Sequence, residues 1–307
     1  ADDASAWDGL SFATAESKGD RLERVFSYQG VLALLGGEST EYWSYTGDAS
    51  FPYAANMGMR HDWGLAARAS VAEFGDYGIA LMRSSMGEVV VQALHPAGPQ
   101  TGSPPDLVRV INDYGTVSDA IGCSFMESGH PMYLLTFPKA GKSWQYDGRS
   151  KVWCERQTGV DGEPYAAAHA AVLNGTARLG GRSTGDRYTL APGTYADVDD
   201  VQLRKAVTEH VFLPGNQMFT VGEFWVDMAA GVGVDGGTQG TTPLAMLRVS
   251  HDRGRSWGPV HTAPLGSIGK FGARARWKRL GRGNDFTFEI AVSDPVAFVI
   301  TGASLRM

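Results

Sequence analysis

Cysteine is scarce in this sequence, since only Cys123 and Cys154 occur among its 307 residues. Two cysteines are too few for the disulfide framework that stabilises a small secreted domain. Long apolar runs are also missing, because no stretch approaches the roughly 18 residues that a membrane-spanning helix needs. Positive charge is not in excess: Lys and Arg total 27 against 33 Asp and Glu, a net charge of -6. These properties exclude a disulfide scaffold, a helical membrane protein and a protein that binds nucleic acid over its whole surface.

Helical periodicity is nearly absent as well. One segment after Pro105 has apolar residues at helical spacing and predicts a helix of about two turns that ends before Gly115. Glycine, by contrast, is abundant: the 40 glycines are roughly double the average usage of about 7%. So many glycines without low complexity predict many tight turns between short strands.

The strand pattern repeats along the chain. Hairpins start near residues 31, 79, 132 and 176, so that successive starts are 48, 53 and 44 residues apart. Propeller blades have periods of about 40–50 residues. The spacing therefore predicts an all-β fold: one β-propeller-like domain over residues 1–307, with about six to eight blades and a Gly-rich surface loop at 231–242. A β-sandwich of similar strand content is the structural alternative.

The stretch 250–257 fits the pattern S-x-D-x-G-x-[S/T]-W, known as an Asp box. Ser250 and Asp252 have short side chains that bond turn amides, and Gly254 permits a positive φ. Trp257 is predicted to plug the hairpin onto a core, so that Trp257→Ala costs about 3–5 kcal/mol. Asp boxes typically lie on propeller blades, and these four residues predict a structural hairpin rather than a reaction.

A basic strand begins at Arg274. Strict alternation places Arg274, Arg276 and Lys278 on one face, and Ala275, Trp277 and Arg279 on the other, with Arg282 extending the basic segment. One interpretation is an exposed sheet face that pairs with neighbouring Glu and Asp residues. The other is a docking surface for an acidic partner or for DNA phosphates. The pattern leaves both open.

Two short matches to motifs of catalysis and of cofactor binding lack the helix that each motif requires after it. The G-x-G-x-x-G match at 231–236 is followed by Gly237 to Gly240, which cannot begin the helix that a dinucleotide site requires. The G-x-S-x-G match at 181–185 is followed by a strand pattern instead of the helix after a nucleophile elbow. The seven His residues are dispersed, and none has the spacing of a zinc site. No catalytic residue, metal ligand or cofactor is predicted.

The order of motifs in the last third resembles a known family. After the Asp box come 265–272, 277–282, 293–296 and 300–303, and earlier motifs agree at 38–43, 118–121, 130–147 and 225–233. This order is similar to that of the packaged-DNA stabilisation proteins, also called tail accessory factors, of short-tailed bacteriophages. The resemblance covers most of the chain, from about residue 7 onwards. Family members usually have a substantial region before this point, so the resemblance implies a propeller that is N-terminally incomplete here.

The resemblance implies a non-enzymatic, ring-forming virion protein, usually a hexamer, located in the phage tail and assembled in the host cytoplasm. Such proteins lie below the portal, close the tail channel after genome packaging and help to hold the needle and the fibres or spikes. The implied partners are therefore the portal or head-completion adaptor, the tail needle, fibre or spike proteins, and further copies of the chain. Contact with DNA is expected only locally, and contact with membrane is not expected.

Two other functions fit the Asp box. A sialidase-like glycosidase needs a Tyr nucleophile with a nearby Glu, an Asp acid and an arginine trio on the substrate carboxylate. The sequence has 11 Tyr, but only one good Asp box where several are usual. A glycan-binding protein at the tail tip would share the same sequence features.

Overall fold

The computed structural model describes residues 18–28, 30–48, 51–95, 100–174, 176–191, 193–197, 200–231, 233 and 239–307. In this part of the chain β-strands dominate, and the single α-helix is α1 (Pro105–Asn112). Two short 3₁₀ turns lie at Arg68–Ser70 and Pro214–Asn216. The predicted all-β class is confirmed.

The chain forms two compact units. The first unit comprises Ala1–Gln157 with Pro164–Leu190, and the second comprises Thr158–Glu163 with Ala191–Met307. Sequence reasoning predicted one propeller-like domain over 1–307, and the structure differs from that prediction. The reason is that short alternating strands look the same in a propeller and in a sandwich, since the pattern does not tell which strands pair.

Strands of the first unit form successive antiparallel sheets. Sheet 1 pairs, in chain order, β1 (Leu22–Tyr28), β2 (Val31–Gly36), β3 (Thr40–Tyr45) and β4 (Tyr53–His61). In sheet 2, β7 (Tyr77–Ser84) pairs with β5 (Trp63–Leu65), with β6 (Ala72–Phe74) and with β8 (Val89–Leu94). Strand β8 in turn pairs with β9 (Gln100–Thr101). Sheet 3 contains, in pairing order, β10 (Ile121–Glu127), β11 (His130–Phe137), β12 (Lys142–Asp147), β13 (Val152–Thr158) and β14 (Glu163–Pro164). Sheet 4 pairs β15 (Ala167–Leu173), β16 (Thr176–Gly181) and β17 (Arg187–Thr189).

The four predicted hairpin starts coincide with strands of these sheets. Strands β2, β7, β11 and β16 begin within two residues of the predicted positions. Antiparallel sheets of neighbouring strands that follow one another at this spacing are the building blocks of propellers. The described residues of the first unit contribute four such sheets, and the number of six to eight blades stays a prediction. Closure of the propeller stays a prediction.

The first unit has its largest apolar cluster between sheets 2 and 3. Leu81 of β7 and Phe137 of β11 are fully buried there, and Ile111 of α1 packs against the same cluster. Tyr133 is fully buried too, and its hydroxyl donates a hydrogen bond of 2.7 Å to the backbone carbonyl of Ser70. Helix α1 therefore packs against the edge of the apolar core that sheets 2 and 3 share, as the apolar spacing after Pro105 predicts.

The second unit is built from two facing sheets. Before them lies a short hairpin of β18 (Ala196–Asp197) and β19 (Asp200–Val201). The larger sheet has the order β20 (Arg204–Val207), β28 (Asp285–Val292), β24 (Leu244–Ser250) and β25 (His261–Pro264), and β21 (Val211–Phe212) also pairs with β28. The smaller sheet has the order β26 (Ala275–Lys278), β23 (Glu223–Met228) and β29 (Ile300–Arg306). The short strands β22 (Phe219–Thr220) and β27 (Arg282–Gly283) form a separate pair.

Aromatic side chains fill the space between these two sheets. Phe224 of the smaller sheet stacks on Phe288 of the larger one, with ring centroids 4.2 Å apart and planes 7° from parallel. Trp277 and Val226 are buried in the same cluster. Two sheets that share an apolar core in this way form a β-sandwich.

The predicted loop at 231–242 lies partly outside the described residues, namely at 232 and 234–238. Its described glycines Gly231, Gly233 and Gly240 are buried rather than on the surface. A Cβ atom on Gly233 would come within 2.9 Å of the backbone nitrogen of Ile268 and of the carbonyl oxygen of Thr241. Glycine is thus needed at Gly233 for close backbone packing.

Candidate interaction surfaces of the second unit

The Asp-box hairpin connects β24 to β25. The hydroxyl of Ser250 accepts a hydrogen bond of 2.8 Å from the amide of Gly254 and donates one of 2.7 Å to Oδ1 of Asp252. The same carboxylate accepts bonds from Ser256, 2.8 Å from its amide and 2.5 Å from its hydroxyl. Short side chains thus satisfy turn amides that have no strand partner.

The backbone of this turn requires unusual dihedral angles. Gly254 has φ +82°, and the residue before it, Arg253, has φ +61°. Glycine adopts such angles without steric cost, whereas Arg253 is held there by the hydrogen bonds on both sides of it. The Arg253 guanidinium also reaches Oδ2 of Asp285, at 3.1 Å.

Asp252 has a pKa well below its ordinary value. Hydrogen bonds from the Ser256 hydroxyl, the Ser256 amide and the Ser250 hydroxyl lower the pKa, because each of them favours the ionised carboxylate. The residue itself is exposed. Its depressed pKa accordingly reflects local hydrogen bonding within a structural turn.

Trp257 lies outside the apolar core, contrary to the prediction that it plugs the hairpin onto that core. It is half-buried, and the guanidinium of Arg248 lies 5.4 Å from its ring centroid. Arg248 is held in place by Glu289, whose Oε1 is 2.7 Å from Nη2 of Arg248. A cation–π contact and partial burial are worth less than full burial of an indole, so the expected loss of 3–5 kcal/mol is too large.

An open cleft of about 450 Å³ adjoins the hairpin. Trp257, His251, His261 and Arg279 line it together with Asp252. His251 has its Nδ1 atom 3.1 Å from the carbonyl oxygen of Asp285. The carboxylate of Asp252 accepts three hydrogen bonds within the hairpin, and aromatic side chains and the guanidinium of Arg279 line the cleft beside it.

Strand β26 shows the predicted alternation up to Lys278. Arg276 and Lys278 are exposed, while Ala275 and Trp277 are buried. The predicted face of Arg279 is wrong, because the strand ends at Lys278 and Arg279 turns with φ +59° into an exposed position. Arg282 lies in the separate strand β27 and is also exposed.

Two cations of the basic strand have acidic partners. Nε of Arg274 lies 2.6 Å from Oδ1 of Asp227, and Nη1 of Arg276 lies 3.9 Å from Oε1 of Glu223. The first interpretation, an exposed face with ion pairs, therefore describes these two residues. No ion pair of Lys278, Arg279 or Arg282 is found within the described residues.

Sequence reasoning missed Asp285 and Trp225. Asp285 is mostly buried, and its Oδ2 lies 3.3 Å from Nδ1 of His210 as well as close to Arg253. This junction joins parts of the chain about 75 residues apart, which no local motif indicates. The position of Trp225 on the outer face of β23 could have been found from the sequence. Glu223, Trp225 and Asp227 alternate with apolar residues and so share one face of the strand.

The described part of the chain contains neither a cluster of metal-binding side chains nor a membrane-spanning helix. No group of three or more His, Cys, Asp or Glu side chains there is arranged to hold a metal ion. Among the same residues, no helix is long and apolar enough to cross a membrane.

Both units match one protein family. Residues 2–195 match the family described as Bacteriophage P22 Gp10, beta-propeller, and residues 204–307 match Bacteriophage P22 Gp10, beta-sandwich. The chain belongs to the bacteriophage P22 Gp10 family. It is therefore a phage virion structural protein, and the resemblance noted in its motif order is confirmed. The boundary between the two matches lies near the division of the structure into two units.

Other comparisons give distant likenesses. The search of curated proteins found no match. Among solved structures, the chain is similar to an exo-beta-1,3-galactanase from Phanerochaete chrysosporium with galactose, at TM-score 0.30 and 10% identity, over 90% of this chain and 80% of that one. It is also similar to a glycoside hydrolase family 43 arabinoxylan arabinofuranohydrolase from Bacillus subtilis in complex with cellotetraose. That likeness has TM-score 0.30 and 8% identity, over 92% of this chain and 66% of the other.

Proposed function

We propose that this chain is a structural protein of the phage tail or head–tail connector. In this role it closes the portal channel after packaging, retains the packaged DNA and offers attachment surface to the needle and to fibres or spikes. The observation that carries the proposal is the family match over 2–195 and 204–307, which spans almost the whole chain. The location in the virion tail and assembly in the host cytoplasm are part of the proposal.

The proposed partners are other virion proteins. They are the portal or head-completion adaptor, the needle, fibre or spike proteins, and further copies of the chain in a ring, expected to be a hexamer. Extended antiparallel sheets make rigid supports, and such assemblies derive stability from buried interface area and register from charge complementarity. DNA contact is local in this scheme, at exposed cations such as Arg279 and Arg282.

The role is proposed to be non-enzymatic. The feature that supports this is the carboxylate of Asp252, because its hydrogen bonds lie within its own turn and hold that turn together. Turnover of a fluorogenic sialoside by the purified chain, lost on substitution of a single Tyr, would contradict this part of the proposal.

DNA retention tests the central role. Particles assembled without this chain are expected to package DNA and then lose it, which nuclease sensitivity of the encapsidated DNA measures. Supplying the purified chain to these particles before DNA is lost should restore nuclease resistance. Full retention of DNA and normal infectivity in particles that lack the chain would refute the role.

A further inference from the structure

The outer face of the smaller sheet in the second unit forms a regular array of side chains. Strand registers place Glu223 beside Lys278 and Arg306, and Trp225 beside Arg276 and Ser304. Asp227 lies beside Gly302 and pairs with Arg274, which directly precedes β26. We call these nine residues the Trp225 face. Their neighbours along the strands, Phe224, Val226, Ala275 and Trp277, point into the sandwich core.

Charge on the Trp225 face is predominantly positive. It carries four cations against two anions, whereas the whole chain has a net charge of -6. The two carboxylates are taken up by ion pairs: Glu223 lies 2.6 Å from Nη2 of Arg306, and Asp227 lies 2.6 Å from Nε of Arg274. Glu223 is only 6% exposed, while the side chains of Arg276 and Arg306 are 52% and 68% exposed. A partner that approaches this face therefore meets cations.

Trp225 lies at the centre of this array and is half-buried, although it is on the side of the sheet away from the core. Its neighbours across the strands, Arg276 and Ser304, are both exposed. Trp and Arg are the residues that dominate binding energy at protein–protein interfaces, where an aromatic centre is enclosed by a polar rim. The Trp225 face has this composition and arrangement.

We propose that the Trp225 face docks an acidic segment of another virion protein. The proposal rests on the proposed function, because it names one of the attachment surfaces which that function requires. Carboxylates of such a segment pair with Arg276, Arg306 and Lys278, while an apolar side chain covers the indole. Strand β29 is the outer strand of its sheet in the described residues, so an extended segment can also bond to its free backbone groups.

DNA and a second copy of the face fit less well. DNA binding recruits many cations to successive phosphates, whereas this face has four cations grouped around an aromatic side chain, which is the composition of a protein–protein interface. Two copies of the face would bring four cations against four cations, which opposes an isologous dimer.

Peptide binding to the full chain tests the proposal. The probe is a fluorescent peptide of about twelve residues that alternates Glu and Val, long enough to cross the sheet, and it is compared with a Lys–Val peptide and with a DNA duplex. Fluorescence anisotropy is expected to show binding of the acidic peptide that weakens with salt. Trp225→Ala and Arg276→Glu should each reduce its affinity by about tenfold or more. Arg255→Ala, at an exposed position of the Asp-box turn, is the matched control and should leave affinity unchanged.

Several outcomes would overturn the proposal. If the acidic peptide binds wild type, Trp225→Ala and Arg276→Glu with equal affinity, it binds elsewhere on the chain. If the DNA duplex binds more tightly than the acidic peptide, the face is a DNA site. If the chain forms a dimer that Trp225→Ala dissociates, the face is a contact between copies. Arg276→Glu keeps the indole, so it remains informative if Trp225→Ala fails to fold, which thermal melting detects. Failure of the proposed function can be distinguished from failure of the docking proposal. If the proposed function fails, particles that lack the chain retain their DNA. If only the docking proposal fails, these particles still lose their DNA.

Discussion

Asp252 is the residue on which the Asp-box turn depends. Its carboxylate accepts two hydrogen bonds from Ser256 and one from Ser250. Asp252→Ala removes these acceptors, so we expect amide hydrogen exchange at Ser256 to accelerate by about tenfold, the equivalent of one net hydrogen bond. Arg255→Ala, which leaves the acceptors in place, should exchange like the wild type. Unchanged exchange in Asp252→Ala would show that the turn is held by other contacts.

Trp257 and Trp277 differ in burial, so their replacement by Ala should lower the free energy of unfolding by different amounts. Trp277 is 4% exposed, and its Nε1 donates a hydrogen bond of 3.0 Å to the carbonyl of His261. Trp277→Ala is therefore expected to lower the free energy of unfolding by about 3–5 kcal/mol. Trp257→Ala should lose only about 1–2 kcal/mol, because it removes partial burial and one cation–π contact. Urea denaturation compares the two; a loss at Trp257 equal to that at Trp277 would contradict this assignment.

At the residue scale, local chemistry was readable from the sequence and distant contacts were not. The spacing of Ser250, Asp252 and Gly254 identifies a turn because their hydrogen bonds close over four residues. Arg279 was assigned to the wrong face because alternation predicts sides only while a strand continues. Asp285 was missed because its partners His210 and Arg253 lie far away in the chain and converge only in the fold.

The hairpin between β12 and β13 has an acid-sensitive turn. Burial raises the pKa of Asp147, but hydrogen bonds from the Ser150 hydroxyl, from His130 and from the Arg149 amide outweigh it and hold the pKa at about 2. The unfolded chain has a pKa near 3.9 for Asp. Since the folded pKa is lower, Asp147 stabilises the fold above about pH 4, and this contribution is lost as the pH falls towards 2.

Asp147→Asn should flatten this pH dependence. We expect the free energy of unfolding of the variant to change less between pH 4 and pH 2 than that of the wild type, because Asn cannot be protonated in this range. Urea titrations at a series of pH values measure it. Asp76→Asn, at an exposed turn, serves as control. Equal slopes for wild type and Asp147→Asn would show that the turn carboxylate does not contribute.

Sheets 1 and 2 make close backbone contact at Gly64. A Cβ atom there would lie 2.1 Å from the carbonyl oxygen of Gly37 and 2.3 Å from the nitrogen of Glu38. Gly64→Ala must push the two sheets apart, and we expect it to cost about 1–3 kcal/mol or more. Gly37→Ala meets nothing within 4 Å and should have a small effect. Thermal melting of both variants tests this packing, and equal stability would contradict it.

At the scale of elements, pairing between neighbours was predictable and pairing between distant strands was not. The cadence of apolar strand, turn and strand located β2, β7, β11 and β16, because hairpin partners are adjacent in the sequence. In the second unit, β23 pairs with β26 and β29, and β20 pairs with β28, across long separations. Only tertiary packing selects these partners, so the sandwich was left as an alternative to the propeller.

The whole molecule combines sheets of two kinds in one family. Residues 2–195 and 204–307 match the propeller and sandwich parts of the bacteriophage P22 Gp10 family. The ordered motif series indicated this family, although the composition alone could not. The Trp225 face, which we propose as a partner surface, was beyond reach from the sequence because three strands that are distant along the chain create it.

The most direct measurement for the proposed tail role is a cryo-EM map of the intact virion, into which the two units are fitted separately. We expect a ring of about six copies of this chain in the tail, adjoining the portal assembly and closing the channel. Density for the chain elsewhere in the particle, or a tail channel that is closed without it, would contradict the proposed role.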